Sequence, residues 1–104
     1  MKNPFEAIKQ LKKLQEKMEK IEEELAQTLV EGTAGGGMVK IVLSAKEEVK
    51  EVKISPEVVD KNDVEMLEDL VAAALRDALT KAKEVSAQKM GSLTEGLSLP
   101  PGLF

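Results

Sequence analysis

The sequence predicts an α+β protein in which two long helices flank a group of short strands. Apolar residues recur with helical periodicity near each end of the chain, which predicts the helices. Between them, a glycine-rich break followed by alternating apolar residues predicts the strands. At 104 residues the chain is the size of one small domain.

The first helix is predicted over residues 1–28. Asn3 is a favourable N-cap, Pro4 suits the first helical position, and Glu6 completes a capping-box arrangement. A helix from Pro4 to the end of this segment runs about 37 Å, whereas a compact 100-residue domain has a radius of gyration of only about 13 Å. The apolar residues that follow the cap at steps of three and four form a hydrophobic seam, namely Leu11, Leu14, Met18, Ile21 and Leu25. We therefore expect this helix to project or to pair with a second chain, most simply in a two-fold dimer.

Two strands follow this helix. Glycines at 35–37 break the helical pattern, and Val39, Ile41 and Leu43 then alternate with other residues at the period of a strand. After a polar turn, a second strand is predicted over residues 49–54. The glycines predict a turn rather than a phosphate-binding loop, because no Gly-Lys-Ser/Thr follows them and they lead into a strand.

A third strand is expected because two strands seldom form a stable sheet alone. Residues 29–34 are the candidate, and the glycines would form the turn that connects them to the next strand. The helical seam could equally extend to Val30, so the residues by themselves leave both alternatives open. With the third strand, the sheet covers residues 29–54.

The second long helix is predicted over residues 63–90. Asn62 and Glu65 are spaced as a capping box, and Gly91 is placed as the end of the helix. A broad apolar stripe suits this helix to covering a sheet. The acids near its start are Glu65, Glu68 and Asp69. Their position at the positive end of the helix dipole explains them better than Mg²⁺ binding or acid–base catalysis.

The last segment, residues 91–104, is predicted to be an apolar tail. It combines helix breakers with hydrophobic anchors and ends in Leu-Pro-Pro-Gly-Leu-Phe. We expect it to dock on its own subunit or on a partner subunit.

The composition excludes several classes of function. The chain contains no cysteine and no histidine, which excludes a disulfide framework, a thiol nucleophile and the usual zinc ligands. It has no run of 18 apolar residues to span a bilayer, and its first residues lack the apolar core of a signal peptide. We therefore expect a cytoplasmic protein that is not an enzyme, with no metal, cofactor, small-molecule substrate or membrane association.

The basic residues gather in the first helix. Residues 1–20 hold six lysines against three glutamates, a local charge of +3, whereas the whole chain carries −4. Lys9, Lys13 and Lys17 lie four residues apart and Lys20 lies one turn beyond them, while Lys2 and Lys12 flank them away from the hydrophobic seam. Each four-residue step rises about 6 Å along a helix, a suitable separation for meeting successive backbone phosphates. The alternative is a solvated helix face that makes i,i+4 ion pairs.

Four separated segments resemble the YbaB/EbfC family of bacterial nucleoid-associated proteins: 34–40, 63–70, 77–79 and 99–104. They read AGGGMVK, DVEMLEDL, DAL and LPPGLF, and the resemblance covers essentially the whole chain. It implies one domain over residues 1–104, with an α-β-β-β-α protomer whose three-stranded antiparallel sheet lies between two long helices. It further implies a tweezer-like homodimer that binds double-stranded DNA with its basic N-terminal helices. A nucleoid location and a role in DNA organisation and gene expression are also implied.

The residue types restrict how DNA would be bound. The single arginine, Arg76, is far from the basic helix, so that helix cannot make bidentate contacts to guanine. The chain also lacks aromatic platforms for stacking single strands. Lysine binds phosphate as a point charge. We therefore expect duplex backbone binding with weak sequence preference and steep salt dependence.

A second class of function uses the same helix differently. In a coiled-coil adaptor or chaperone-like module, the hydrophobic seam of the first helix would grip a protein partner. The two hypotheses differ in whether the lysines or the hydrophobic seam of the first helix contact the partner.

Overall fold

The computed structural model describes residues 4–95. In chain order the elements are helix α1 (Pro4–Gln27), strands β1 (Leu29–Ala34), β2 (Val39–Ser44) and β3 (Val49–Ile54), a 3₁₀ turn (Pro56–Val58) and helix α2 (Val64–Glu95). This order confirms the predicted α+β class and the α-β-β-β-α protomer. The three strands form one antiparallel sheet in the order β1-β2-β3.

Helix α1 ends before residue 29, so the predicted third strand is confirmed and the seam does not extend to Val30. The Thr28 hydroxyl donates a 2.7 Å hydrogen bond to the Glu24 carbonyl, which satisfies one of the last carbonyls of the helix. The Ala45 amide donates to the carbonyls of Leu25 and Thr28 at 3.1 and 2.8 Å. These bonds turn the chain out of α1 and into β1.

The core lies between the sheet and α2. Val39, Ile41 and Leu43 alternate on the inner face of β2 and are fully or almost fully buried. They pack with three α2 residues that lie one turn apart and are also fully buried, namely Ala74, Ala78 and Ala82. Because these side chains are small, α2 can lie very close to the sheet.

Gly32 marks the closest approach of strand to helix. A Cβ built at this position would overlap the Ala74 carbonyl oxygen, the Ala78 amide nitrogen and the Ala78 methyl group. The first two are backbone atoms, which cannot move aside without displacing the helix. Glycine is therefore required at residue 32 by the packing of β1 against α2.

The start of α2 corrects the predicted capping box at Asn62 and Glu65. The helix begins at Val64. The Asp63 carboxylate accepts a 3.2 Å hydrogen bond from the Met66 amide, so Asp63 is the N-cap. The Asn62 amide instead donates to the Asp60 carboxylate at 2.9 Å, within the preceding turn. The cap falls one residue later than predicted because Asp60 holds Asn62 in that turn.

The predicted end of the second helix at Met90 is wrong. Helix α2 continues through Gly91 to Glu95, so the first residues of the predicted tail are helical. Glycine inside a helix costs about 1 kcal/mol relative to alanine. The burial of Leu93, which is only 3% exposed, offsets this cost. The remainder of the predicted tail, 96–104, lies outside the described residues, and its docking stays a prediction.

Side chains of α2 also reach over the outer edge of β1. The Asp77 carboxylate accepts a 3.1 Å hydrogen bond from the Thr33 amide. The Lys81 ammonium donates a 2.8 Å hydrogen bond to the Glu31 carbonyl. Asp77 and Lys81 form an ion pair at 3.4 Å. The hydrogen bond from Thr33 lowers the pKa of Asp77 below its ordinary value of 3.8, and Lys81 acts in the same direction while desolvation opposes it.

We expect Gly32→Ala to lower the free energy of unfolding by about 3 kcal/mol, the upper end of typical overpacking costs. The added methyl group would meet backbone atoms of α2. Urea denaturation followed by circular dichroism at fixed protein concentration measures the change. The matched control is Gly91→Ala, which has open space around its Cβ and lies within α2. It should raise the free energy of unfolding by about 1 kcal/mol, and equal effects of the two substitutions would contradict the close approach at Gly32.

We expect the stability difference between the wild type and Asp77→Asn to shrink as the pH falls below about 3.8. The pKa of Asp77 is lowered by folding, so its charged form stabilises the protein above the unfolded pKa. That stabilisation is lost as the pH falls through the folded pKa. Denaturant titrations between neutral and acidic pH measure the difference. Glu84→Gln, at an exposed acid of the same helix, is the control for the removal of one carboxylate charge.

Candidate nucleic-acid interface

Helix α1 is attached to the rest of the protein through its C-terminal part. Ile21 and Leu25 are buried in a second hydrophobic cluster with Ala45 and Leu93. An ion pair between Lys89 and Glu24, with a 3.2 Å Nζ–Oε2 distance, joins the two helices beside this cluster. The attachment therefore uses the predicted seam, but only its last two turns are buried.

The preceding part of α1 projects into solvent. Between residues 4 and 20 every residue is exposed except Leu14, which packs partly against the second cluster. The protein accordingly measures 72 × 23 × 16 Å along its principal axes. The exposure of residues 4–20 shows that this part of the first helix projects, which was one of the two expectations from the sequence.

Five of the six predicted DNA-binding lysines lie on this projecting part, and all five are exposed: Lys9, Lys12, Lys13, Lys17 and Lys20. Lys2 lies outside the described residues. Across residues 4–95, the ion pairs join Glu51 to Lys53, Asp77 to Lys81 and Glu24 to Lys89, and none involves these five lysines. The ion-paired helix face considered from the sequence is therefore not formed by them within the described part of the chain.

Most of these lysines lie on the side of α1 away from the attachment. Successive residues of a helix are rotated by about 100°, which places Lys9 and Lys20 on the side away from Leu25. Since Leu25 is buried against the domain, Lys9 and Lys20 are directed outward, whereas Lys17 lies on the flank of the helix, one turn before the buried Ile21, and is exposed. We call the exposed surface formed by Lys9, Lys12, Lys13, Lys17 and Lys20 the lysine face.

The N-terminal turns of α1 also expose large apolar side chains. Phe5 is 75% exposed and Leu11 is 60% exposed, and Ile8 and Met18 are exposed as well. Leu11, Met18 and Ile8 belong to the predicted seam or widen it. This part of the seam is therefore uncovered in the single chain.

Sequence reasoning missed a second uncovered apolar surface, on β3. Val52 and Ile54 pair with Ile41 and Val39 and so share the inner face of the sheet. Helix α2 lies across β1 and β2 and leaves them 50% and 39% exposed. Their alternation along the strand was visible in the sequence, but the position of the covering helix was not.

Membrane-spanning and metal-binding features are absent from the described residues. Over positions 4–95, no helix is long and apolar enough to cross a membrane. In that range no three His, Cys, Asp or Glu side chains are grouped so as to hold a metal ion. The acids at the start of α2, which were assigned to the helix dipole, are exposed: Glu65, Glu68 and Asp69.

The fold and the site together define a small α+β protein whose projecting helix presents an unpaired lysine face. Such a face attracts polyanions because phosphate neutralisation by lysine dominates non-specific nucleic-acid binding. Comparison with known proteins specifies the class further.

A sequence model of the YbaB/EbfC DNA-binding family matches residues 1–97. A protein named nucleoid-associated protein from Dictyoglomus turgidum is 84% identical over 104 residues, covering all of both chains. Another of that name, from Syntrophobacter fumaroxidans, is 47% identical over 108 aligned positions that cover this chain fully and 98% of the relative. The chain belongs to the YbaB/EbfC DNA-binding family, which is a family of nucleoid-associated DNA-binding proteins rather than a class of enzymes.

A solved structure confirms the fold independently. The crystal structure of an uncharacterized protein from Helicobacter pylori superposes with a TM-score of 0.80, covering 89% of this chain and 98% of that one. The two sequences are only 18% identical, so the likeness concerns the fold alone.

We expect Leu25→Ala to release α1 from the domain. Leu25 is 5% exposed in the second cluster, and removing a buried leucine side chain typically costs about 2–5 kcal/mol. Amide hydrogen exchange should show faster exchange in α1 than in the wild type, with β2 still protected. Val59→Ala, at an exposed valine outside both clusters, is the control and should leave α1 unchanged. Equal loss of protection in α1 and β2 would show instead that the helix and the sheet unfold together.

Proposed function

We propose that the protein binds double-stranded DNA as a homodimer, mainly through backbone phosphates and with weak sequence preference. The observation that carries the proposal is the lysine face of α1, whose five ammonium groups are exposed and unpaired within the described residues. Membership of a DNA-binding family supports the identity of the polyanion.

The net charge of −4 does not oppose this proposal, because residues 1–20 carry a local charge of +3. Electrostatic interactions between exposed groups fade beyond about 8 Å in physiological salt. From Lys9 to Lys20 the helix rises about 17 Å, and this stretch projects from the acidic body. A duplex could therefore contact the lysine face while the carboxylates of the body remain screened by salt.

The uncovered apolar surfaces support the homodimer. The seam is exposed at Ile8, Leu11 and Met18, and the inner face of β3 is exposed at Val52 and Ile54. A second copy would cover apolar area that a single chain leaves in water. It would also bring two lysine faces to one duplex in a tweezer-like arrangement, so that the second contact forms at high effective concentration.

The relatives from Dictyoglomus turgidum and Syntrophobacter fumaroxidans are both named nucleoid-associated proteins. We therefore assign this protein to the nucleoid in the cytoplasm, where it would alter DNA conformation, nucleoid organisation and gene expression. Contacts to backbone phosphates suit such a role because they are independent of sequence.

The coiled-coil adaptor or chaperone-like module is the second candidate, favoured by the exposed Phe5 and Leu11 on the projecting helix. That function uses the seam and makes no use of the lysine face. The DNA proposal accounts for the unpaired lysines as well, and is therefore preferred.

We expect the combined Lys9→Glu, Lys13→Glu and Lys17→Glu variant to bind unrelated duplexes more weakly and to similar extents. The plot of log affinity against log salt concentration should flatten by about 0.9 for each phosphate that the protein no longer neutralises. Gel shifts at several salt concentrations measure both effects, and circular dichroism confirms that the variant is folded.

The matched control reverses three exposed lysines outside α1, namely Lys46, Lys61 and Lys83. This control variant changes the net charge by the same amount as the α1 variant. If the lysine face has a specific role, the control variant should retain most of the DNA affinity. Unchanged affinity in the α1 variant, with its fold intact, would contradict the assignment of the lysine face.

A further inference from the structure

We infer that Phe5 is a wedge that inserts between two adjacent base pairs of the duplex, so that the tip of α1 contacts bases as well as phosphates. Such a wedge rests on the DNA binding of the proposed function and adds to it a contact with the stacked bases. Three observations point to it: the exposure of Phe5, its position around the helix axis and the charges beside it.

Phe5 is the most exposed of the large hydrophobic residues in the described part of the chain. Its exposed fraction is 75%, and it belongs to neither hydrophobic cluster of the domain. Phe5 is the second residue of α1, and every Cα–Cβ bond of an α-helix tilts toward the N-terminus. The ring therefore lies near the tip of the projecting helix, with its large apolar surface in water.

Phe5 does not belong to the hydrophobic seam. Because each residue of a helix is rotated by about 100°, Phe5 lies about 120° around the axis from Leu11 and about 140° from Met18. It lies about 160° around the axis from Leu25, which is buried against the domain. A partner that covered the seam, whether a second copy or another protein, would therefore leave most of this ring uncovered.

The ring lies on the same side of α1 as two lysines. Lys9 is about 40° around the axis from Phe5 and about 6 Å further along it, and Lys12 is about 20° around and about 10 Å further. Both lysines are exposed, and neither takes part in an ion pair of the described residues. The nearest acid on this side, Glu16, is about 16 Å along the axis, and the adjacent Glu6 lies about 100° around it. An apolar ring with lysines beside it matches a duplex, in which the base stack lies between two rows of phosphates.

Insertion of an apolar side chain deforms a duplex at one base step. Architectural DNA-binding proteins insert Phe, Leu, Ile, Met or Pro between base pairs from the minor groove, which partly unstacks the step and kinks the duplex. An aromatic ring replaces part of the lost stacking, because it stacks on a base itself. Lys9 and Lys12 would contact phosphates at the edge of the same groove and so hold the ring in place. Since every base has a π-face, such a wedge keeps the sequence preference weak.

One aromatic residue is sufficient for this role. The chain has two, Phe5 and Phe104, and only Phe5 lies within the described residues. Binding of a single strand needs a series of aromatic platforms for successive bases, whereas a wedge occupies one base step. A wedge at Phe5 is therefore compatible with the expected binding of duplex rather than of single strands.

A single tryptophan tests the insertion directly, because the chain contains no Trp or Tyr. In Phe5→Trp, the indole should be accessible to acrylamide in the free protein. Saturation with a short duplex should lower both its emission and its acrylamide quenching constant by about twofold or more, because an indole stacked on a base is shielded from solvent. Leu11→Trp, at a 60% exposed seam position of the same helix, is the matched control and should change little when the duplex binds.

Removal of the ring separates its contribution from that of the lysines. Phe5→Ala should weaken duplex binding by about tenfold, a typical loss for one stacked base. Its plot of log affinity against log salt concentration should keep the wild-type slope, because phenylalanine neutralises no phosphate. Energy transfer between dyes at the two ends of the duplex reports the kink, and at saturation it should be lower with Phe5→Ala than with the wild type. Val59→Ala, at a 59% exposed valine outside α1, is the control and should match the wild type in all three measurements.

The outcomes distinguish the wedge from the proposed function. If the Phe5→Trp protein shifts the duplex in a gel while its emission and quenching stay unchanged, the wedge is overturned and the lysine face is left in place. An indole that is already shielded before DNA is added also overturns the wedge, because a second copy or another part of the chain then covers the tip. A wild type that binds no duplex overturns the proposed function and the wedge together.

Discussion

The close packing of β1 against α2 at Gly32 is the contact from which the other features of this protein follow. A helix this close to the strand requires a residue without a side chain on β1 and small side chains on α2, and the alanines at 74, 78 and 82 meet that need. Its closeness lets Asp77 and Lys81 reach the backbone of β1 and occupy that edge. Its position over β1 and β2 leaves β3 as the uncovered strand.

The same helix determines how the lysine face is presented. Because α2 continues past the sheet to Leu93, it offers a second small cluster in which the end of α1 is buried. That cluster holds only the last turns of α1, and the exposed lysines precede its residues Ile21 and Leu25 along the helix. Among the described residues, no carboxylate forms an ion pair with these lysines.

The two uncovered apolar surfaces have different consequences for assembly. The surface on β3 lies beside a strand edge with which no other strand of the described residues pairs. The surface on α1, around Leu11, lies on a projecting helix with no strand edge nearby.

The sequence by itself determined the two long helices, the strands β2 and β3, and the family. Helical periodicity, the glycine break and strand alternation are local signals, and each sets the type of its own segment. The tertiary structure decided matters that depend on contacts between distant residues: whether residues 29–34 extend the helix or form a strand, where α2 ends, and which edge of the sheet is closed. Gly91 predicted a helix end from its low propensity, but burial of Leu93 against Ile21 and Leu25 outweighs a cost of about 1 kcal/mol. Likewise, the spacing of Lys9, Lys13 and Lys17 predicted a basic face. Whether neighbouring carboxylates form ion pairs with these lysines could be decided only from the three-dimensional positions of those carboxylates. Local patterns specify local conformation, but burial and charge pairing depend on which residues the fold brings together.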